Sequence, residues 1–302
     1  MKDNVFITVF TPTYNRGYTL KKLYNSLKKQ SDNDFEWLII DDGSTDDTKS
    51  LVKDFIKENK VNIRYMYKKN EGKYKAINTA IDLAKGELFF IVDSDDWITE
   101  DSIETIKKYY SEIKDNNEFI GVVGLRGTPD MKINCSLKKE KENKFLKLEY
   151  IDATPVEYKF KYHIIGDRAE VCITKKMKEF KFPENDEKFM NEGYIWNNIA
   201  KCGYKFRYFN KIIYIGNYLN DGLTLNIKKI ERTSPKNMTI TKNLIVGIKE
   251  IPLKERFKAC VGYYRYGFLA NMKQKELFKA SNNKCMSFLA IPLAIILNKI
   301  NY

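Results

Sequence analysis

Asp93, Asp95 and Asp96 close an apolar run, Leu88 to Val92, with only Ser94 between them. Carboxylates this close raise one another's pKa unless a cation or a set of hydrogen-bond donors answers them. A divalent metal is one answer. A turn in which the aspartates accept backbone N–H bonds and cap the following helix is the other. Any metal here would need oxygen ligands, hence Mn2+ or Mg2+, because His163 is the only histidine and none of the five cysteines forms a C-x-x-C pair. Lys73 offers a cation for phosphates. Glu192 stands at the start of a helical periodicity over residues 192–202, where a carboxylate could equally serve the helix dipole. The lone His163 reads as structural.

These residues need elements to position them. Val5–Phe10, Phe35–Ile40, Asn62–Tyr67 and the run from Leu88 read as strands, and Pro12 is expected to end pairing of the first. Helices are expected over residues 18–30, after Ser44 or Thr45 as cap, and from about Lys73 to Gly86. Alternation of strand and helix with short connections predicts an α/β fold, a doubly wound parallel sheet. Ligands of such sheets bind off the carboxyl ends of the strands, which brings Tyr14, Asp42 and Asp93 to Asp96 to one edge. Neither Gly-x-Gly-x-x-Gly nor a P-loop follows a strand, so phosphates would fall to metal and lysine. Further on, a helix at Asp101–Lys114, a strand at Phe119–Leu125, a solvated loop at Lys132–Lys144, a strand through Thr174 and two short strands at Tyr204–Phe209 and Ile212–Ile215 are expected.

A chain of 302 residues with 43% hydrophobic content can hold one large domain with an appendage. Its net charge of +13 is concentrated at one end: residues 228–302 carry 15 Lys and Arg against 4 Glu and no Asp. Scattered cysteines fit a reducing cytoplasm, and the opening Met1-Lys2-Asp3-Asn4 does not read as a signal peptide. The apolar run Met286–Leu297 is shorter than the ~20 residues of a membrane-spanning helix.

Together, Val9-Phe10-Thr11-Pro12-Thr13-Tyr14-Asn15-Arg16, Ile39-Ile40-Asp41-Asp42-Gly43-Ser44, Asn70-Glu71-Gly72-Lys73 and Val92-Asp93-Ser94-Asp95-Asp96 resemble the family 2 glycosyltransferases that build bacterial cell-surface glycans. The resemblance is dense over residues 4–100, looser through Gly166–Glu170 and Glu192–Asn220, and fades after about residue 235. It implies a GT-A fold, a Rossmann-like mostly parallel sheet with flanking helices, over residues 1–225, divided into a nucleotide-binding half (1–125) and an acceptor-binding half (126–225). A basic, mainly helical region (226–302) would follow. Thr11, Pro12, Tyr14, Asp42, Lys73, Asp93, Ser94 and Asp95 would bind the nucleotide sugar, with Tyr14 stacked on the base and Asp42 accepting a hydrogen bond from it, uracil by family habit. Asp95 and Asp96 would face the metal, with Asp96 as a direct ligand. Glu192 would be the general base of an inverting transfer to a glycan or lipid-linked acceptor, although the family's Glu-Asp pair is here Glu192-Gly193. Asp167, Arg168 and Trp97 would touch donor or acceptor sugar.

The basic amphipathic residues 250–302 suit an anionic membrane surface on the inner face of the cell membrane, or simple packing on the catalytic domain. Two competing classes are a catalytically inactive glycan-binding scaffold of the same fold and a nucleic-acid-binding protein. No nucleic-acid-binding motif accompanies the basic tail, so no nucleic acid is expected as a partner.

Overall fold

The computed structural model describes residues 5–133, 136–137, 148–216 and 227–300. Most of the expected loop at Lys132–Lys144, and Asn220, lie outside them. The chain begins β1 (Ile7–Thr13), α1 (Gly17–Lys28), β2 (Phe35–Asp41), α2 (Thr48–Glu58), β3 (Ile63–Tyr67), α3 (Lys73–Leu83), β4 (Leu88–Ile91), β5 (Trp97–Ile98), α4 (Ser102–Ser111) and β6 (Phe119–Gly127). It continues β7 (Ser136–Leu137), β8 (Tyr150–Ala153), α5 (Pro155–Phe160), β9 (Ile164–Ile165), β10 (Arg168–Ile173), α6 (Thr174–Met177), α7 (Gly193–Lys201) and β11 (Lys205–Ile215). Five helices close it: α8 (Ile227–Arg232), α9 (Pro235–Gly247), α10 (Leu253–Leu269), α11 (Gln274–Ala280) and α12 (Lys284–Ile300).

The main sheet has the order β3-β2-β1-β4-β10-β6-β11-β5, with β8 on β11. Strands β3, β2, β1 and β4 are parallel, whereas β10 runs antiparallel between β4 and β6. This is the mixed α/β sheet of the GT-A fold rather than a wholly parallel one. Leu88 and Phe90 of β4 belong to the core cluster that also holds residues of α1, α2 and α4, and Phe89 to the cluster on the other face with residues of α3 and α7. Burial on both faces is why β4 shows no alternation of apolar and polar residues.

Three expectations fail for identifiable reasons. Pairing of β1 runs through Pro12 to Thr13, opposite Asp41. Thr13 presents its carbonyl to β2 and Phe10 its carbonyl to the β4 side; Pro12 shares the side of Phe10, where the β4 ladder has already stopped at Ile91. The proline's missing N–H therefore breaks no ladder bond. The two short strands expected at 204–215 are one strand, β11, whose register slips between Tyr208 and Ile212 and so breaks the period seen in the sequence. Helix α2 begins at Thr48, beyond Ser44 and Thr45, and it is Asp46 that accepts from the Thr48 N–H at 3.1 Å.

The C-terminal helices are joined to the segment between α6 and α7 by hydrogen bonds around the N-terminus of α9. The Glu187 carboxylate accepts from the Lys236 and Asn237 N–H groups at 2.9 and 2.7 Å, taking up donors that a helix start leaves free. The buried Asn237 side chain donates to the Phe189 carbonyl at 2.9 Å and accepts from Asn185 at 2.6 Å. Replacing Asn237 by alanine leaves buried partners unsatisfied; a loss of about 1–3 kcal/mol is expected, measured as a lower urea midpoint.

Candidate active site

The turn after β4 is built by its neighbours. The Val92 N–H donates to the Phe10 carbonyl at 2.8 Å and the Asp96 N–H to the Asp93 carbonyl at 3.1 Å. Tyr214, near the end of β11, accepts from the Asp93 N–H at 3.1 Å and donates its hydroxyl to Asp96 Oδ2 at 2.7 Å. Arg126 of β6 donates to the same oxygen at 2.9 Å and lays its guanidinium 4.9 Å from the Tyr214 ring centroid. Asp96 is thus 1% exposed. Burial pushes its carboxyl up to about 7 in spite of Arg126. This departs from the expectation of Asp96 as a direct metal ligand: the carboxylate is turned into the protein, where it ties the turn to β6 and β11. Asp95 points elsewhere. Half-buried, it has no described partner beyond its own backbone N–H, and burial together with Asp93 raises its pKa.

Lys73 stands in the first turn of α3, and its Nζ lies 2.6 Å from Asp93 Oδ1 and 2.7 Å from Glu192 Oε1. The side chains of Lys73, Asp93 and Glu192 are 28, 33 and 35% exposed, so a ligand in the cleft can reach all three. Burial alone would lower the lysine pKa; the two carboxylates outweigh it and hold the ammonium well above its ordinary value. Burial likewise works to raise Asp93, but Lys73 keeps it ionised below the usual carboxylate range.

Asp42 explains how Lys73 is aimed. Its two oxygens accept from the Glu71 and Gly72 N–H groups at 3.0 and 2.8 Å, and Lys68 adds a contact at 3.2 Å. Gly72 is required there: its φ is +104°, and a Cβ would meet the Lys188 carbonyl oxygen at 1.9 Å. Asp42 is 4% exposed with three donors in place, so its established role in the fold is to latch this turn. Glu192 precedes α7 at the end of a segment fastened by Tyr74 to the Glu187 carbonyl at 2.8 Å and by Asn78 to the Phe182 carbonyl at 2.9 Å.

The remaining expected residues divide. Tyr14 lies beyond β1, half exposed, with the next residue, Asn15, in the left-handed region at φ 52°. Thr11 is buried and accepts from Trp37 Nε1 at 2.9 Å; Pro12 and Ser94 are buried beside the same edge. Trp97 does not offer an open face, because the Lys22 ammonium sits 3.4 Å from its centroid and its ring packs on the core. Asp167 is exposed and pairs with Arg126 at 3.6 Å, whereas Arg168 is buried and donates from Nε to the Tyr158 hydroxyl at 2.8 Å. His163 is exposed, in a left-handed turn. Tyr214 and Arg126 were not singled out by the sequence; an Arg or Tyr near a strand end carries no signal until the sheet order is known.

The family model for glycosyl transferase family 2 matches residues 8–158. Among curated proteins, the chain is 27% identical over 294 residues to a Campylobacter jejuni GalNAc(5)-diNAcBac-PP-undecaprenol beta-1,3-glucosyltransferase, covering 90% of this chain and 86% of that one. It is 36% identical over 116 residues to glycosyltransferase GlyG of Streptococcus pneumoniae, covering 38% of each chain. Among solved structures, residues 1–349 of S. aureus TarS in complex with UDP-GlcNAc superimpose with a TM-score of 0.61 at 20% identity, over 96% of this chain and 81% of that one. A Pyrobaculum calidifontis mannosyltransferase in complex with GDP-Man and Mn2+ gives 0.57 at 17% identity, over 97 and 81%. Fold and site define a GT-A transferase. The chain belongs to glycosyl transferase family 2, and it is a glycosyltransferase.

Replacing Tyr214 by phenylalanine removes the hydroxyl shared by Asp93 and Asp96 while keeping the ring. A loss of about 1–3 kcal/mol of stability is expected by denaturant titration.

Proposed function

We propose that the protein transfers a sugar from a UDP-linked donor, with inversion, to a hydroxyl of a glycan or lipid-linked acceptor in cell-surface polysaccharide synthesis. The observation that carries this reading is the single Lys73 ammonium held between Asp93, on the donor side, and Glu192, the proposed base. Donors in the two complexed neighbours are UDP-GlcNAc and GDP-Man, and the Campylobacter relative is named for a lipid-linked acceptor; these support the substrate classes.

In this reading Tyr14 stacks on the base and Lys73 neutralises diphosphate oxygens as they arrive. Glu192 takes the proton from the acceptor hydroxyl as its oxygen bonds to the anomeric carbon, and the bond from that carbon to the diphosphate oxygen breaks, releasing UDP. One in-line displacement inverts the centre. The residues present fit a divalent cation: Asp95, beside Asp93, is a half-buried carboxylate with no described side-chain partner. Among the described residues no three such ligands converge, so diphosphate and water would complete the shell, as is usual for Mg2+ and accepted by Mn2+. A cation held there would neutralise charge developing on the leaving diphosphate.

Screening UDP- and GDP-sugars for nucleotide release tests the reading; no release from any donor, with no binding of UDP in the presence of Mn2+, refutes it. Asp95→Asn is expected to abolish the Mn2+ dependence of UDP binding. Glu192→Gln is expected to retain UDP binding and lose transfer by about 100-fold or more.

The C-terminal helices support membrane attachment. Among the described residues no helix is long and apolar enough to cross a membrane. Helix α12 nevertheless exposes Phe288, Leu289, Ile296 and Ile300, with Lys284 and Lys299 in its first and last turns. An apolar surface flanked by lysines suits the face of an anionic leaflet. The doubly substituted Phe288→Glu, Leu289→Glu protein is expected to lose co-sedimentation with phosphatidylglycerol vesicles; unchanged co-sedimentation would exclude α12 as the anchor.

A further inference from the structure

A cavity of about 220 Å3 opens beside the N-terminus of α7, lined by Glu170 of β10, by Gly193, the residue after Glu192, and by Arg168, Trp196, Tyr158 and Tyr208. Its walls are aromatic. Tyr158 and Tyr208 stack at 3.8 Å with their planes 12° apart, and Tyr158 is fastened by the Arg168 Nε bond. In β10, Ala169 and Val171 face one core cluster and Cys172 the other, which turns Glu170 towards the α5 and α7 side. The Glu170 carboxylate meets no described partner beyond its own backbone N–H. Burial and the neighbouring Glu192 charge, opposed by Arg168, push its pKa up to about 7. Asp167, just before this strand, adds negative charge, and Lys159 of α5 lines the cavity. A half-buried acid kept without a partner opposes stability, since its ionised form lacks the donors that water would supply. An acid so placed at a cavity wall points to a ligand.

We propose that this cavity is the subsite for a pyranose ring of the glycan acceptor, and that Glu170 positions the ring by accepting hydrogen bonds from its hydroxyl or amide N–H groups. The half-buried Trp196 on the cavity wall offers an apolar face to the sugar's C–H groups, while the carboxylate and the arginine meet its polar rim. Naming the sugar as acceptor rests on the glycosyl-transfer reading above; its binding does not. Glu170 is a positioning residue, and Glu192 remains the proposed base.

Saturation-transfer NMR with the methyl glycosides of glucose, galactose, N-acetylglucosamine and N-acetylgalactosamine, in the presence of UDP, tests the inference. The intact protein is expected to bind at least one, more tightly as pH rises through about 7 and Glu170 ionises. Glu170→Gln is expected to weaken that binding about tenfold or more and to remove its pH dependence, with UDP affinity unchanged. Asn197→Phe, on the cavity wall, is expected to block it. Stability gives an independent reading. A folded pKa raised from 4.5 to about 7 means that the native state holds the Glu170 proton longer than the unfolded chain, so stability falls as pH rises across that window. Glu170→Gln is therefore expected to raise Tm more above pH 7 than below pH 4.5. Absence of glycoside binding, or binding unaltered in both variants, overturns the inference. Failure of UDP to bind would instead refute the donor reading.

Discussion

Four carboxylates gathered at one end of the sheet set the terms for the rest of the molecule. Asp93, Asp95, Asp96 and Glu192 repel one another in a half-buried cleft, and two cations from different elements offset part of this. Lys73 joins Asp93 to Glu192. Arg126, helped by the Tyr214 hydroxyl, holds Asp96. Asp95 feels the charges of Arg16 and Lys73 but has no described side-chain hydrogen bond, and the proposed cation site rests on that asymmetry. The arrangement also divides labour within a motif whose acids look alike in sequence: one is paired, one is buried as a strut and one stays available.

The cations are held by structure that is remote in the chain. Lys73 is aimed by a turn that only Gly72 can make and that Asp42 latches through two backbone N–H groups. Glu192 is aimed by a segment trapped between α3 and the start of α9, where Glu187 takes up the free donors of the helix. The C-terminal helices therefore help to place the proposed base as well as carrying the exposed apolar face of α12. A surface bound by α12 would be coupled mechanically to the cleft through α10, α9 and the Glu187 contacts.

Much of the first half was legible. β1, β2 and β4 are largely apolar runs because both faces of the sheet are covered there, and their polar ends fall at one edge because parallel strands must. The resemblance to family 2 rests on those same strand ends, and the family match spans them. Elsewhere local reading failed where a neighbour changed the rule. Pro12 was expected to end β1, but the side it faces was already unpaired. β11 looked like two strands because a bulge breaks the period. Trp97 looked available for stacking until Lys22, from another helix, was found on its face.

Sequence alone determined the chemistry that is present: acids at the ends of buried strands, a lysine at a helix start after a glycine turn, a carboxylate before an amphipathic helix, and a basic tail. These follow from side-chain type and period, which are local properties. Tertiary structure alone decided which charges meet. The union of Lys73 with both Asp93 and Glu192, the burial of Asp96 against Arg126 and Tyr214, and the isolation of Glu170 in its cavity all depend on sheet order. Above all they depend on β10 running antiparallel between β4 and β6. Electrostatic pairing is a matter of a few ångströms between residues far apart in the chain, and periodicity carries no record of it.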